Sequence, residues 1–101
     1  MVIAVDFDGT LCKNEYPLIG RANIRLIASL KKNKAKGDTL ILWTCREGEI
    51  LEQAISWCAS FGLEFDYVNE NTPELIKRYG NDTRKIGADL YIDDKGVKPY
   101  W

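Results

Sequence analysis

The chain has 101 residues, 46% of them apolar, which is enough for one compact domain over residues 1–101 and too few for two that each bury a core. Charged residues make up 29% with a formal net charge of −1, so no long-range field advertises a nucleic-acid or acidic-membrane partner. Histidine is absent, which excludes a Ser-His-Asp triad, a Cys-His pair and a histidine general base, and leaves acid–base chemistry to carboxylates, lysine or tyrosine.

Met1 leads straight into Val2 to Val5, an apolar run that reads as a first strand, with neither a basic leader nor a cleavage site before it. Leu11 to Gly20 reads as a short flap. Asn23 is then positioned to cap a helix whose inner face would carry Ile24, Ile27, Ala28 and Leu30, with Gly37 to stop it. Thr39 to Trp43 is a second strand, apolar without alternation, as expected where helices cover both faces of a sheet. A second helix over about Glu47 to Ser60 shows helical spacing at Ile50, Leu51, Ala54, Ile55 and Cys58, and Gly62 supplies its exit. Phe65 to Val68 is a weaker strand. Thr72 and Pro73 form a cap and first-turn pair for a short third helix ending near Gly80, and Leu90 to Ile92 is a fourth strand. Trp43 and Trp57 read as core residues, and Tyr100 and Trp101 as an aromatic tail against the domain or a partner.

This rhythm predicts an α/β fold: a Rossmann-like three-layer sandwich around a mostly parallel sheet of about four strands, with ligands gathering beyond the strands' carboxyl ends. Cys12, Cys45 and Cys58 are odd in number and lack paired spacing, which argues against a disulfide framework or a zinc cage and fits a reducing cytoplasm. No apolar run approaches the roughly 20 residues of a membrane helix, so no membrane partner is expected.

Just past the strands' carboxyl ends lie Asp6-Phe7-Asp8-Gly9-Thr10, then Thr44-Cys45-Arg46, then Asn69, then Asp93-Asp94. Carboxylates gathered on one rim repel one another, so they need a cation or must share protons; hard oxygen ligands suit magnesium. Residues two apart on an extended segment point the same way, so Asp6 and Asp8 can face a substrate together while Phe7 turns into the core.

Val2 to Leu11 resembles the first signature of the haloacid dehalogenase-like hydrolases, Leu40 to Thr44 resembles the second, and Leu90 to Asp94 the fourth. The resemblance covers nearly the whole chain, and the Thr44 to Glu49 and Tyr91 to Asp94 segments are similar to those of small bacterial and phage members without a cap domain. It implies a magnesium-dependent phosphatase acting on a small phosphorylated metabolite, a sugar phosphate or nucleotide, with a nucleic-acid end as the alternative. Asp6 would be the nucleophile that becomes an aspartyl-phosphate, and Asp8 the general acid and base whose carbonyl also binds metal. Gly9 would allow the turn, Thr44 would donate to a phosphate oxygen, and Asp93 and Asp94 would hold Mg2+ with Asp6 and Asp8. The third signature is a lysine, for which Lys85 is chosen over Lys77 and Lys95; it would neutralise the transferring phosphoryl group. Cys45 adjoins the substrate position, although it reads as a packing residue rather than a second nucleophile. Arg46 and Asn69 are placed to contact substrate or, equally, to anchor loops.

Neither cap insertion point of the family has room here, so the site is expected to be open, to a bulky substrate or to cover by a neighbouring subunit. The fourth strand would be a sheet edge, which suggests a homo-oligomer formed through that side. A receiver-type signalling domain or a non-catalytic phosphate-binding domain of similar fold are the rivals. A receiver, however, is phosphorylated on an aspartate after its third strand, where this chain offers only Asp66 nearby.

Overall fold

The computed structural model describes residues 1–82 and 86–93. In chain order these form β1 (Val2–Val5), β2 (Cys12–Glu15), β3 (Leu18–Ala22), α1 (Ile24–Ala35), β4 (Thr39–Leu42), α2 (Gly48–Ser60), β5 (Tyr67–Val68), α3 (Pro73–Tyr79) and β6 (Leu90–Ile92). The four-stranded sheet runs β5-β4-β1-β6, and each neighbouring pair is parallel. The chain steps outward from β1 to β4 to β5 and then returns to place β6 on the other side of β1. That reversal puts a topological switch point, where open α/β sheets form their ligand crevice, between the carboxyl ends of β1 and β6.

Alternation along the strands divides the core. Ile3, Val5, Leu40 and Leu42 pack against Ile27 and Leu30 of α1 and Ala54 and Cys58 of α2, together with Phe7, Leu11 and Leu63. Ala4 and Ile41 point to the opposite face, where a smaller cluster holds, among the described residues, only Ile86 as a further buried member. The two helices of the first crossovers therefore bury the larger face, and α3, which joins β5 to β6, has no buried residue. No cap domain is present among the described residues, and none of their helices is long and apolar enough to cross a membrane.

The caps form as their sequence suggests. Asn23 accepts the Leu26 N–H, and Thr72 accepts the Leu75 N–H with Pro73 behind it. Gly80 takes the left-handed conformation that ends α3, at φ 77°. Several expectations need correction. Ile24 is 58% exposed and Ala28 is exposed, because the inner stripe of α1 runs through Asn23, Ile27 and Leu30, and Ala28 stands about 100° around the helix from Ile27. The strand expected from Phe65 shortens to Tyr67–Val68, since the Asp66 carboxylate takes the Leu40 N–H at 2.8 Å that a carbonyl of a longer strand would accept. The flap is a β-hairpin of β2 and β3, with an irregular register between Cys12 and Asn14. As expected, β6 is an edge: among the described residues it pairs only with β1.

Candidate active site

The main chain of Asp6 to Thr10 folds into a turn directly beyond β1. Asp6 N–H donates to the Ile92 carbonyl at 2.9 Å, which ties the end of β1 to the end of β6. Phe7 is fully buried, its ring edge-on to Trp57 at 5.5 Å, and its carbonyl accepts the N–H groups of Thr10 and Leu11. Gly9 makes the reversal at φ 85°, a left-handed conformation that strains a residue with a Cβ, and donates its N–H to the Cys12 carbonyl. Thr10 is buried, and its hydroxyl donates to Asp6 Oδ2 at 3.4 Å. The Asn23 side chain donates to the Thr10 carbonyl, so the cap of α1 also braces this turn.

Asp6, Asp8, Thr44, Cys45 and Asp93 line one cleft of about 700 Å3 together with Asn14, Tyr16 and Trp43. The cleft sits at the carboxyl ends of β1, β4 and β6, with the hairpin forming one wall. Thr44 is held from two sides: its N–H donates to Asn69 Oδ1 at 2.7 Å, and its hydroxyl oxygen accepts the Arg46 N–H at 3.1 Å. The hydroxyl proton is thereby left to donate elsewhere. Asn69, at φ 54°, is a loop anchor; its own N–H closes onto the Leu42 carbonyl.

Arg46 is also an anchor, not a cleft-lining residue. Its side chain is wholly buried, with Nε and Nη2 donating to the two carboxylate oxygens of Asp8. Its remaining N–H groups go to the carbonyls of Pro17, Leu18 and Ile50. All five guanidinium donors are thus used inside the protein, which leaves none for a substrate and, of the two roles expected for Arg46, favours the loop anchor. Donating to the Asp8 carboxylate holds the Arg46 proton more firmly than usual, although burial works against it. The guanidinium carbon lies 5.0 Å from the Phe7 ring centre and 5.2 Å from that of Tyr16, so the cation is stacked between core and hairpin.

Trp43 is 41% exposed at the cleft, where it was expected in the core. Its place on the sheet explains this: Ile41 fills the thin second face, and Trp43, next on that side, falls beyond the rim. Cys45, expected to pack, is exposed. Burial raises the thiol pKa of Cys12, and that of Cys58 to about 12, so neither is a ready nucleophile. Asp66 precedes β5, at the sheet end opposite the cleft, and is engaged by Lys34 and Leu40.

Among the described residues, no group of three or more Asp, Glu or Cys side chains could hold a metal ion by itself. Asp8 gives both oxygens to Arg46, while Asp6 and Asp93 bring hard oxygen donors to the cleft wall. That donor chemistry suits a magnesium-like cation but is not a complete set. Lys85, Asp94, Lys95, Tyr100 and Trp101 lie outside the described residues.

No family model and no curated protein matches the chain. A solved structure, that of a conserved protein from Bacteroides thetaiotaomicron, does: it is 45% identical, aligns with 96% of this chain and 78% of its own, and superposes with a TM-score of 0.84. With that identity sustained over nearly its whole length, the chain belongs to the same family as this conserved Bacteroides protein.

Proposed function

We propose that the chain is a capless, magnesium-dependent phosphomonoester hydrolase of the haloacid dehalogenase-like superfamily, working through an aspartyl-phosphate on Asp6. The observation that carries this reading is the meeting of Asp6, Asp8, Thr44 and Asp93, brought from the ends of β1, β4 and β6, on one cleft at the switch point of the sheet. Such convergence of chemistry-bearing side chains from distant segments favours a built site over a chance turn rich in Asp and Gly.

In this reading an Asp6 oxygen attacks phosphorus in line, forming an O–P bond as the bond to the ester oxygen breaks. Asp8 gives the leaving oxygen its proton. It then takes a proton from water, which attacks the aspartyl-phosphate, releases inorganic phosphate and restores Asp6. Arg46 occupies one lone pair on each Asp8 oxygen, and a carboxylate has about four such acceptor positions, so proton exchange on the cleft side remains open. The Thr44 hydroxyl donates to a phosphoryl oxygen, oriented by the Arg46 N–H behind it. The buried Thr10 hydroxyl keeps Asp6 aimed. Asp6 and Asp93, with the Asp8 carbonyl and Asp94, would hold Mg2+, which supplies charge neutralisation to the phosphoryl oxygens; Lys85 would add to it.

Hydrolysis of p-nitrophenyl phosphate by the whole chain, with and without magnesium, tests this. Multiple turnover that needs the metal and vanishes in Asp6→Asn is the expected result. Turnover that persists in Asp6→Asn would remove the aspartyl-phosphate from the reading, and no turnover of any phosphomonoester would leave a phosphate-binding domain as the better description.

A further inference from the structure

Two aromatic rings stand exposed at the same cleft and have no part in the chemistry above. Trp43 is 41% exposed and Tyr16 57%, and they come from different elements, the end of β4 and the tip of the hairpin. Each is set on fixed backbone. Trp43 N–H donates to the Val5 carbonyl at 2.8 Å, extending the β1–β4 ladder past its last paired residues. Tyr16 N–H donates to Asn14 Oδ1, its ring lies against the buried Arg46 guanidinium, and the next two carbonyls of the hairpin accept from that same guanidinium. Large rings held open to solvent on rigid supports are prepared to bind, since little ordering remains to be done when a ligand arrives.

We propose that the cleft selects a phosphomonoester bearing a nucleobase, a nucleoside monophosphate, whose base stacks on Trp43 and Tyr16 while its phosphate reaches Asp6 and Thr44. For its chemistry this rests on the phosphatase reading, but the stacking does not depend on turnover. A cleft of about 700 Å3 is within the roughly 300–1,000 Å3 usual for small-molecule sites. Every base has a flat π-face, so the arrangement tolerates different bases while rejecting phosphates that lack one. Free nucleotides are favoured over a nucleic-acid end by charge. Three aspartates and no lysine or arginine line the cleft among the described residues, whereas a polynucleotide needs a basic track for its further phosphates.

The test compares adenosine 5′-monophosphate, uridine 5′-monophosphate, ribose 5-phosphate and a 5′-phosphorylated oligonucleotide as substrates of the whole chain with magnesium. Calorimetry on the Asp6→Asn protein, with adenosine 5′-monophosphate and ribose 5-phosphate, accompanies it. Both nucleotides should exceed ribose 5-phosphate in kcat/KM by roughly 5- to 150-fold, the range that one stacked base is worth. Trp43→Ala and Tyr16→Ala should each shrink that ratio, and Trp43→Phe should keep most of it. Equal values for nucleotide and ribose 5-phosphate, a ratio that survives Trp43→Ala, or a preference for the oligonucleotide would each overturn the proposal while leaving a phosphatase. If no substrate turns over, calorimetry decides: base-dependent binding that is lost on adding Trp43→Ala upholds the stacking without the phosphatase reading, and its absence overturns both.

Discussion

Arg46 grips Asp8 through two parallel hydrogen bonds, at 2.9 and 2.8 Å, from a side chain that no solvent reaches. The same guanidinium accounts for carbonyls at Pro17 and Leu18, so one buried cation fixes both the Asp8 carboxylate and the hairpin that walls the cleft. Replacing Arg46 by alanine removes a charge from Asp8 and strands these carbonyls. Breaking a buried pair costs about 3–5 kcal/mol, and the lower end applies because Asp8 is 16% exposed. Urea denaturation should show this loss. Arg46→Lys keeps the charge without the planar fork, so it should stay folded yet lower kcat by roughly 10- to 100-fold through a misplaced Asp8, with KM nearly unchanged. A large rise in KM with kcat intact would mean that the guanidinium meets substrate after all.

Asp6 is the position on which turnover depends in the proposed reaction. Asp6→Asn can still accept the Thr10 hydroxyl, so its circular dichroism should show the parent fold, while kcat falls by about 10^4-fold or more, as when a nucleophile is removed. Chelation with EDTA should abolish activity and added magnesium restore it. Activity that persists in EDTA would remove the metal from the mechanism.

The candidate site was easier to read than the parts that frame it. Asp6, Asp8, Thr44 and Asp93 follow strand ends, and parallel strands with crossovers gather their carboxyl ends on one rim, so sequence order alone suggested their meeting. The hairpin was legible only as a flap. Cys12–Glu15 is largely polar and exposed, and the contacts that tie the hairpin's tip to the core come from Arg46, far along the chain, which local patterning does not carry. The exposure of Trp43 was signalled by its alternation with Ile41, but the height of the rim was not. The same limit applies to Ile24 and Ala28, since a stripe of apolar residues does not say how wide the buried face is.

The cysteines make a separate check on packing. Cys12 and Cys58 are fully buried with thiols pushed to high pKa by burial, the latter to about 12, and Cys45 is exposed on the cleft. Iodoacetamide at pH 8 should therefore label Cys45 alone in the native protein and all three after unfolding. A bound phosphomonoester should slow that labelling, because Cys45 lines the cleft. Native labelling at Cys12 or Cys58, read by peptide mass spectrometry, would contradict the core described for the larger sheet face.

Gly20 decides whether the hairpin can close. A Cβ on this residue would stand 2.3 Å from the Lys13 carbonyl oxygen on the facing strand and 2.9 Å from Glu15 Oε2. The carboxylate is the end of a flexible side chain and can move, but the carbonyl is backbone, so β2 and β3 must separate. Overpacking of this kind costs about 1–3 kcal/mol. Because the displaced strand carries Tyr16 and Asn14 at its end, Gly20→Ala should also disturb the cleft wall. The expected outcome is a lower urea midpoint together with weaker substrate binding, seen as a higher KM. Gly37→Ala is the contrasting substitution: a Cβ there meets nothing within 4 Å, although its φ of 97° adds strain of its own. It should lower stability at the end of α1 with KM unchanged, since Gly37 lies away from the residues that line the cleft. Equal effects of the two on KM would mean that hairpin geometry does not set the site.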